Sequence, residues 1–422
     1  MNPYNIVRPA WFVSVVGAAL CLFGGTCTAQ SSEPGGDGIR FSGFGTVGVT
    51  HAAAPAGWGF LRTTEQPASD RSTRFDLDSR LGAQVNYAAS PEIELVAQML
   101  VTRRVAGTPA ADSLEWAFAA YRPTADLTLR AGRLNLDQYV MSDYRNVGFA
   151  YLYARPPVEF YSSVPSNLDG VDITHTWTSG ESRWRAKGFF GRSRIIGIPL
   201  NGTFGFSLSR EVDGLLLRAS WSRTQLAYNY RDLTPLIDGL DQVRALPIPS
   251  VSAEATALRN VLDLAARPVT YATMGATYER AQWQVAAEIA QITLGTSRGT
   301  SGYVSLGRRI GEVTVFGVVS VADANTPVAP IPTWGTTLAP VIGPAAAQQA
   351  QLLGAVAAQA ANRTPRQTTY SLGARWDMHP RLALKVQWDR VDIRQNGSFL
   401  WSNATQDPGR ANIATALLDF VF

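Results

Sequence analysis

The stretch RFDLDSRLGAQVNYA, residues 74–88, alternates apolar and polar side chains over most of its length. One parity is apolar and comprises Phe75, Leu77, Leu81, Ala83, Val85 and Tyr87. The other parity is charged or amide-bearing and comprises Asp76, Asp78, Arg80, Gln84 and Asn86. Successive side chains of a strand point to opposite faces, so the pattern predicts a strand with one oily and one ionic face. Such a strand is longer than the about five or six residues that are usual in soluble sheets.

The same period of two recurs from residue 39 to the end of the chain. The segment RLALKVQWD, residues 381–389, repeats it with aliphatic or tryptophan side chains against ionic or amide ones. Counting such segments predicts about sixteen strands. They lie near residues 39–50, 74–87, 93–103, 114–122, 127–136, 170–177, 183–191, 203–210, 215–225, 269–279, 283–293, 301–308, 313–322, 367–377, 382–391 and 413–422.

Short connections follow the even-numbered strands, and longer ones follow most odd-numbered strands. The longest connections are residues 226–268 and 323–366. This alternation is typical of an up-and-down barrel whose strand ends face two compartments. The predicted fold is therefore an all-β, transmembrane, antiparallel β-barrel with short periplasmic turns and long extracellular loops.

Aromatic residues favour a membrane barrel over a soluble sandwich, a distinction that parity alone does not make. They lie on the apolar parity beside the short turns, at Tyr87, Trp177, Trp184, Tyr278, Trp283, Trp376 and Phe422. Amphipathic rings at one level form the girdle expected at a membrane interface. Hydrocarbon requires every strand edge to be paired, and about sixteen closed strands enclose an aqueous channel.

The N-terminus predicts a secretory signal peptide over residues 1–29, followed by the barrel over residues 30–422. Arg8 precedes the apolar run WFVSVVGAALCLF and the small residues GGTCTA. Both cysteines, Cys21 and Cys27, fall in this segment, so residues 30–422 contain no thiol for a disulfide or a metal site. An exported chain without disulfides favours a bacterial envelope.

The charge balance does not favour nucleic acid as a partner. Removing Arg8 from the 37 basic residues leaves 36 against 33 acidic ones. This slight excess contains no basic run that would follow a phosphate backbone. No metal or other cofactor is predicted.

Gly43, Gly45 and Gly48 spell G-x-G-x-x-G, which is also the fingerprint of a dinucleotide-binding turn. That site needs a helix after the glycines and an acidic residue about 20 positions further on, and neither pattern follows here. The glycines instead predict a slender first strand that another backbone or subunit approaches closely, for example a neighbouring protomer.

From about Ile39 to Phe422 these features resemble a Gram-negative outer-membrane porin, without a motif that defines a subfamily. The resemblance rests on the signal peptide, the strand pattern, the alternation of connections and the final Phe422. It implies a water-filled channel for passive diffusion of small hydrophilic solutes or ions, in a bacterial outer membrane. It also implies a homotrimer, contacts with lipid and lipopolysaccharide, and insertion machinery that reads Phe422.

In similar proteins the third long loop folds into the barrel and narrows the pore. The third long connection here is residues 137–169, which are rich in aromatic rings and therefore favour packing into the channel mouth. Its candidate constriction residues are Asp137, Asp143, Arg145 and Glu159. The alternative is an external loop that contacts lipopolysaccharide or a neighbouring subunit.

A basic wall faces the predicted lumen. By parity it comprises Arg80, Arg130, Arg183, Arg185, Lys187 and Arg218. If the loop holds Asp137, Asp143 and Glu159 across a gap from this wall, a transverse field orients dipolar solutes and favours anions. The alternative is that the arginines are solvated or paired with strand carboxylates.

Two further questions stay open. The connections 226–268 and 323–366 contain Ala- and Leu-rich, helix-like pieces, which are either caps over the mouth or flexible insertions. The rival functions are an outer-membrane barrel enzyme that hydrolyses lipid or peptide and a plugged structural or adhesive barrel. No catalytic residue is predicted, because the three histidines, His51, His175 and His379, lie in connections or on the apolar parity.

Overall fold

The computed structural model describes residues 38–422 except 106–107, 109, 163–164, 166, 196–197, 230–232, 296 and 327. The predicted signal peptide, residues 1–29, lies outside the described residues. One antiparallel sheet holds sixteen long strands and the short strand Thr73–Arg74. A second, two-stranded sheet pairs Gly59–Phe60 with Trp401–Ser402.

The long strands are numbered in chain order. They are β1 (Ile39–Ala53), β2 (Arg80–Ala88), β3 (Ile93–Thr102), β4 (Leu114–Tyr121), β5 (Leu127–Asn135), β6 (Asn167–Ser179), β7 (Ser182–Ile195), β8 (Ile198–Val212), β9 (Leu215–Leu226), β10 (Pro268–Arg280), β11 (Trp283–Leu294), β12 (Ser297–Ile310), β13 (Val313–Asn325), β14 (Pro365–His379), β15 (Leu382–Ser398) and β16 (Gly409–Val421).

The sheet closes on itself because its first strand pairs with its last. Phe44 of β1 lies opposite Val421 of β16, and Thr50 lies opposite Thr415. On its other side β1 pairs with β2. Each remaining strand pairs with its two neighbours in sequence. The predicted closed, antiparallel barrel of sixteen strands is therefore confirmed.

The alternation in residues 74–88 predicted one continuous strand, and the structure differs from this prediction. β2 begins only at Arg80, because residues 75–79 turn into the barrel. There the Ser79 hydroxyl donates to the Phe75 carbonyl oxygen, at 2.5 Å. Leu77 is buried in a cluster that includes Trp401. The turn carries the Asp78 carboxylate into the interior, whereas a regular strand would have kept residue 78 within the wall.

Longer connections follow six of the eight odd-numbered strands, which agrees with the prediction for most of them, and the connections after β7 and β11 are short. β7 and β8 are joined by residues 196–197 alone, and β11 and β12 by residues 295–296. These four strands extend beyond their predicted ends and so take up the expected loops. The opposite barrel end carries only short turns, at residues 89–92, 122–126, 180–181, 213–214, 281–282, 311–312 and 380–381.

The aromatic residues predicted for a girdle lie on the outer face beside these short turns. Trp177 and Trp184 stack across the β6–β7 pair, with ring centroids 6.0 Å apart and planes 6° apart. The Arg210 guanidinium lies 5.6 Å from the centroid of the Trp184 ring. An arginine over an aromatic face at the end of an apolar belt is typical of a boundary between oil and water.

The glycines of β1 receive side chains from the last strand of the same chain. A Cβ atom at Gly45 would overlap the Phe420 ring, and one at Gly43 would overlap the Phe422 ring. The two rings stack with centroids 6.4 Å apart. The close approach predicted for these glycines is therefore made by β16 and the C-terminal residue of the same chain.

In the described part of the chain, five α-helices and two 3₁₀ segments occupy the connections. The α-helices are α1 (Val158–Tyr161), α2 (Thr234–Arg244), α3 (Pro249–Leu262), α4 (Trp334–Ile342) and α5 (Pro344–Asn362), and the 3₁₀ segments are Ala110–Ser113 and Gly148–Ala150. In the part of the chain that the structure describes, no helix combines the length and apolar character needed to cross a bilayer.

Helices α2 to α5 share one apolar core, although they come from two connections distant in sequence. Leu240, Leu258, Leu338 and Ala357 are buried in it, one from each helix. The Trp334 indole nitrogen donates to the Glu254 carboxylate, at 2.8 Å. The connections after β9 and β13 are therefore folded elements and not flexible insertions, because their helices bury apolar stripes against each other.

Candidate functional site

The connection between β5 and β6 runs through the interior of the barrel. We call its residues 136–162 the inner loop. The backbone N–H of Val140 donates to Glu288 on β11, and that of Ala154 donates to Gln387 on β15, each at 2.8 Å. Both loop residues are buried. These contacts contradict the alternative of an external loop.

Asp137 anchors the start of the inner loop to the barrel wall. Its buried carboxylate lies 3.1 Å from Lys187 Nζ, pairs with Arg218, and lies 3.5 Å from Arg185 Nη2. Burial acts to raise the pKa of Asp137, but the charges of Lys187 and Arg218 hold it well below its usual range. The cluster therefore consists of one permanent anion and the three cations that surround it.

Arg155 anchors the second half of the inner loop. Its Nη2 lies 2.8 Å from Asp78 and its Nη1 lies 3.1 Å from Asp389 on β15. It also donates to the Thr415 hydroxyl on β16, at 2.5 Å. Burial acts to raise the pKa of Asp78, but Arg155 and then Arg62 lower it to about 2. One guanidinium thus joins the inward turn before β2 to the last two strands.

Glu159, in the short helix α1, is held by neutral donors. Its carboxylate accepts hydrogen bonds from Ser320 at 2.6 Å, from Gln367 at 2.5 Å and from Thr369. Glu159 therefore fixes α1 to β13 and β14.

The prediction that Asp137 and Glu159 face the basic wall across an open gap is wrong. Asp137 touches the cations of the wall directly, and Glu159 is bound to neutral side chains on another side of the barrel. The physical reason is burial: an isolated carboxylate in a low-dielectric interior is costly, so the loop places its acids on donors.

The basic residues predicted for the pore wall have different environments. Arg80 is buried, and it donates to the Asn146 carbonyl oxygen and the Tyr151 hydroxyl, each at 2.6 Å. Lys187 and Arg218 are buried on Asp137. Arg130 pairs with Asp172 on β6, at 2.5 Å. Arg80, Lys187 and Arg218 therefore hold the inner loop to the wall, and Arg130 joins β5 to β6.

Arg183 and Arg185 keep access to solvent. Arg183 is exposed near the turn at residues 180–181, and no ion pair joins it among the residues that the structure describes. Arg185 is 34% exposed and lies 3.9 Å from Asp143, which is 48% exposed. Arg145 is partly buried. Arg185 and Asp143 thus form an accessible pair of opposite charges beside the inner loop, on the side lined by β5 to β7.

Several residues that hold the inner loop were not predicted as site residues. They are Asp78, Arg155, Glu288, Lys385, Asp389 and Asp419. Most lie on the polar parity of their strands, so parity was the available signal. Parity gives the face of a residue but not its partner, and these partners are far apart in sequence.

The described residues contain no group of three or more His, Cys, Asp or Glu side chains that could hold a metal ion. His51 bonds the Thr73 hydroxyl, at 2.8 Å, on the exposed surface. His175 stacks on Trp177, with centroids 5.5 Å apart.

No protein-family model and no curated protein sequence matches this chain. Among solved structures it is similar to outer-membrane expressed OmpT of Vibrio cholerae, with 10% identity, coverage of 92% of this chain and 99% of that one, and a TM-score of 0.49. It is similar to an anion-selective porin from Comamonas acidovorans, with 9% identity, coverage of 91% and 100%, and a TM-score of 0.49. It is also similar to a mutant of the Rh. blastica porin, with 11% identity, coverage of 91% of this chain and 100% of that one, and a TM-score of 0.45. Porins thus recur among the similar structures, while the fold itself rests on the strand order and register described above.

Proposed function

We propose that this protein is an outer-membrane porin, a non-enzymatic channel for passive diffusion of small hydrophilic solutes or ions. The observation that carries this proposal is the division of side chains across a closed wall. Apolar side chains such as Leu372 and Val386 are exposed on the outer face, while ionic ones such as Arg185 and Asp143 remain accessible inside.

The outer face suits hydrocarbon, because the closed sheet leaves no strand edge unpaired and the aromatic girdle lies at one barrel end. We infer that the short turns face the periplasm and that the helices α2 to α5 face outside. The signal peptide at residues 1–29 would direct export and be cleaved. Residues 30–422 would then form the channel domain in the bacterial outer membrane.

The diffusion path runs past the inner loop on the side of β5 to β7. There Arg183 and Arg185 are the accessible cations, whereas Lys187, Arg218 and Arg130 are paired with Asp137 and Asp172, which offset two of these three positive charges. Asp143 offsets part of the remaining positive charge. The path therefore favours anions weakly, and its width limits passage to small solutes.

The proposed partners follow from the resemblance of the sequence to porins. They are outer-membrane lipid, lipopolysaccharide, the insertion machinery that reads Phe422, and two further copies of the chain in a homotrimer. OmpT of Vibrio cholerae is described in a trimer form.

A plugged structural barrel is the second candidate, and the inner loop is the observation that favours it. Val140, Ala154 and Glu159 of the loop contact β11, β15 and β13 in that order. Most of the inward side chains of these three strands are buried. A loop fixed this firmly either narrows the channel or closes it.

Conductance in planar bilayers separates the two candidates. Residues 30–422, refolded in detergent, should give discrete channels and should let small sugars swell liposomes. A variant in which residues 139–160 are replaced by a short Gly-Ser linker should conduct several times more and serves as the open control. A folded wild type without conductance, beside a conducting control, would establish the plugged barrel. Hydrolysis of lipid or peptide by the folded protein would support an enzyme instead.

A further inference from the structure

The outer face of four neighbouring strands carries a cluster of charged side chains at the end opposite the short turns. We call it the outer arginine patch. It comprises Asp323, Arg366, Arg390, Asp392, Arg394 and Arg410. Asp323 of β13 lies opposite Arg366 of β14, and Asp392 of β15 lies opposite Arg410 of β16. With strands about 4.8 Å apart, the patch is about 14 Å wide.

Each carboxylate of the patch is shared by two arginines. Asp323 lies 3.2 Å from Arg366 Nε and 3.4 Å from Arg394 Nη1. Asp392 lies 3.1 Å from Arg410 Nε and 4.0 Å from Arg390 Nε. Four guanidinium groups thus meet two carboxylates, and two positive charges of the patch stay uncompensated.

The guanidinium groups keep donors free for a ligand. Arg410 and Arg394 are 76% and 54% exposed. Each contact to a carboxylate uses one nitrogen of a group that has five N–H donors. A planar fork of this kind binds the oxygens of a phosphate through two parallel hydrogen bonds. The chemistry of the patch therefore fits a phosphate group.

The surface next to the patch indicates where such a phosphate comes from. Tyr370 lies opposite Arg390 in register, and Leu372 lies opposite Trp388. Tyr370, Leu372 and Trp388 are exposed and lie on the outer face, between the patch and the short turns. Acyl chains on this apolar surface would hold a headgroup at the level of the arginines. A free phosphate ion would gain nothing from the apolar neighbours, so the juxtaposition favours a lipid.

We propose that the outer arginine patch binds the phosphate-bearing headgroup of an anionic membrane lipid whose chains lie on β14 and β15. The proposal rests on the proposed function in that it takes the outer face of the barrel to contact lipid. Uncompensated cations near hydrocarbon are costly, and an anionic headgroup there removes that cost.

Lipid binding to the delipidated, detergent-solubilised chain tests the proposal. Native mass spectrometry would count bound phosphatidic acid and, as the neutral comparison, phosphatidylcholine with the same chains. The test variant is R366Q/R394Q/R410Q. The matched control is Arg223→Gln, since Arg223 is an exposed arginine on the outer face of β9, away from the patch. Inorganic phosphate is added as a competitor.

We expect the wild type and Arg223→Gln to bind phosphatidic acid in preference to phosphatidylcholine. The triple variant should bind phosphatidic acid at least about tenfold more weakly than the wild type. Asp392→Asn should bind it more tightly, because it removes a competing anion and retains all four arginines. Asp392→Asn keeps the test decisive if the triple variant fails to fold.

Equal binding of phosphatidic acid by the wild type and the triple variant, or weaker binding by Asp392→Asn, would overturn the proposal. Competition by inorganic phosphate at concentrations similar to those of the lipid would overturn the lipid as the source of the phosphate. Channel conductance is measured on the same variants. Loss of lipid binding in the triple variant, with unchanged conductance, would support lipid binding by the patch. A wild type that binds lipid but does not conduct would reject the porin function alone.

Discussion

Lys385 and Asp419 form a fully buried ion pair between β15 and β16, with Nζ 3.0 Å from Oδ2. The same ammonium donates to the carbonyl oxygens of Gly148, at 2.6 Å, and of Tyr153, at 2.9 Å. Only with the inner loop in place does Lys385 have partners for all three of its donors. The wall of the barrel and its inner loop are therefore one electrostatic unit, since two of the three partners of this buried ammonium are carbonyl oxygens of the loop.

Arg155→Gln should release the second half of the inner loop. The substitution leaves Asp78 and Asp389 buried without the cation that bridges them. Breaking a buried pair on one side costs about 3–5 kcal/mol. We expect a lower unfolding temperature and a larger single-channel conductance in planar bilayers. Arg223→Gln is the control, because Arg223 is exposed on the outer face of β9 and its loss should leave both quantities unchanged. Wild-type conductance and stability in Arg155→Gln would show that this contact does not hold the loop.

Acid should open the channel only near pH 2. The pKa of Asp78 lies at about 2, below its ordinary value of 3.8. A lowered folded-state pKa stabilises the fold above the unfolded pKa, and this stability is lost as pH falls through the folded value. The shift corresponds to about 2 kcal/mol. Conductance should therefore stay constant from neutral pH to about pH 4 and rise toward pH 2.

Arg155→Gln provides the comparison for this pH series. Without Arg155 the pKa of Asp78 should return toward its ordinary value or above it, because burial then acts without the main opposing charge. The acid transition of the variant should consequently move to higher pH. A wild-type transition already complete at about pH 5 would contradict the assigned role of Asp78.

The sequence predicted the barrel because a period of two is a local property. Lys385 and Asp389 alternate with Leu384, Val386 and Trp388, so the faces of β15 follow from neighbouring residues alone. The turn at residues 75–79 was not predicted, since its local alternation suits a strand, whereas its inward course depends on distant partners such as Arg155 and Trp401. Local pattern thus gave the wall correctly and this one bend incorrectly.

The arrangement inside the barrel depends on pairs that no local pattern contains. Parity placed Lys187 and Arg218 on the inner face, but the ion pairs that both make with Asp137 join β7, β9 and the inner loop. Likewise the Ala- and Leu-rich pieces predicted helices, whereas their common core needs Leu258 and Leu338 to meet from two connections. Burial decided these contacts, and burial is known only from the fold.

Charge reversal at Arg183 and Arg185 should shift ion selectivity toward cations. Arg183 is exposed on the inner face of β7, and Arg185 is partly exposed beside Asp143, whereas Lys187 is buried against Asp137. The double variant R183E/R185E should change the sign of the reversal potential under a salt gradient, or lower it strongly. Arg223→Glu reverses a charge on the outer face and should leave the reversal potential unchanged. Equal shifts in both variants would place the diffusion path away from β7.

Gly45→Ala should weaken closure of the barrel. A Cβ atom at this position would overlap the Phe420 ring where β1 meets β16. Overpacking of this kind costs about 1–3 kcal/mol. The expected result is a lower temperature for loss of the folded band in heat-modifiability gels. Gly299→Ala is the matched control, since nothing lies within 4 Å of its added Cβ atom. A stable Gly45→Ala barrel would mean that the ring moves aside without cost.

Leu338→Asp should unfold the helical cluster while the barrel stays closed. Leu338 in α4 is 0% exposed and lies in the core shared by α2, α3 and α5. Burying an unpaired carboxylate there costs more than the few kcal/mol that hold so small a core. Limited proteolysis should therefore cut within residues 234–262 and 334–362, with the heat-modifiable barrel band retained. Leu352→Asp places the same charge on α5 at a site that is 61% exposed, and it should resist protease like the wild type. Because the four helices share one core, cleavage confined to α4 and α5 would show that the two connections fold independently.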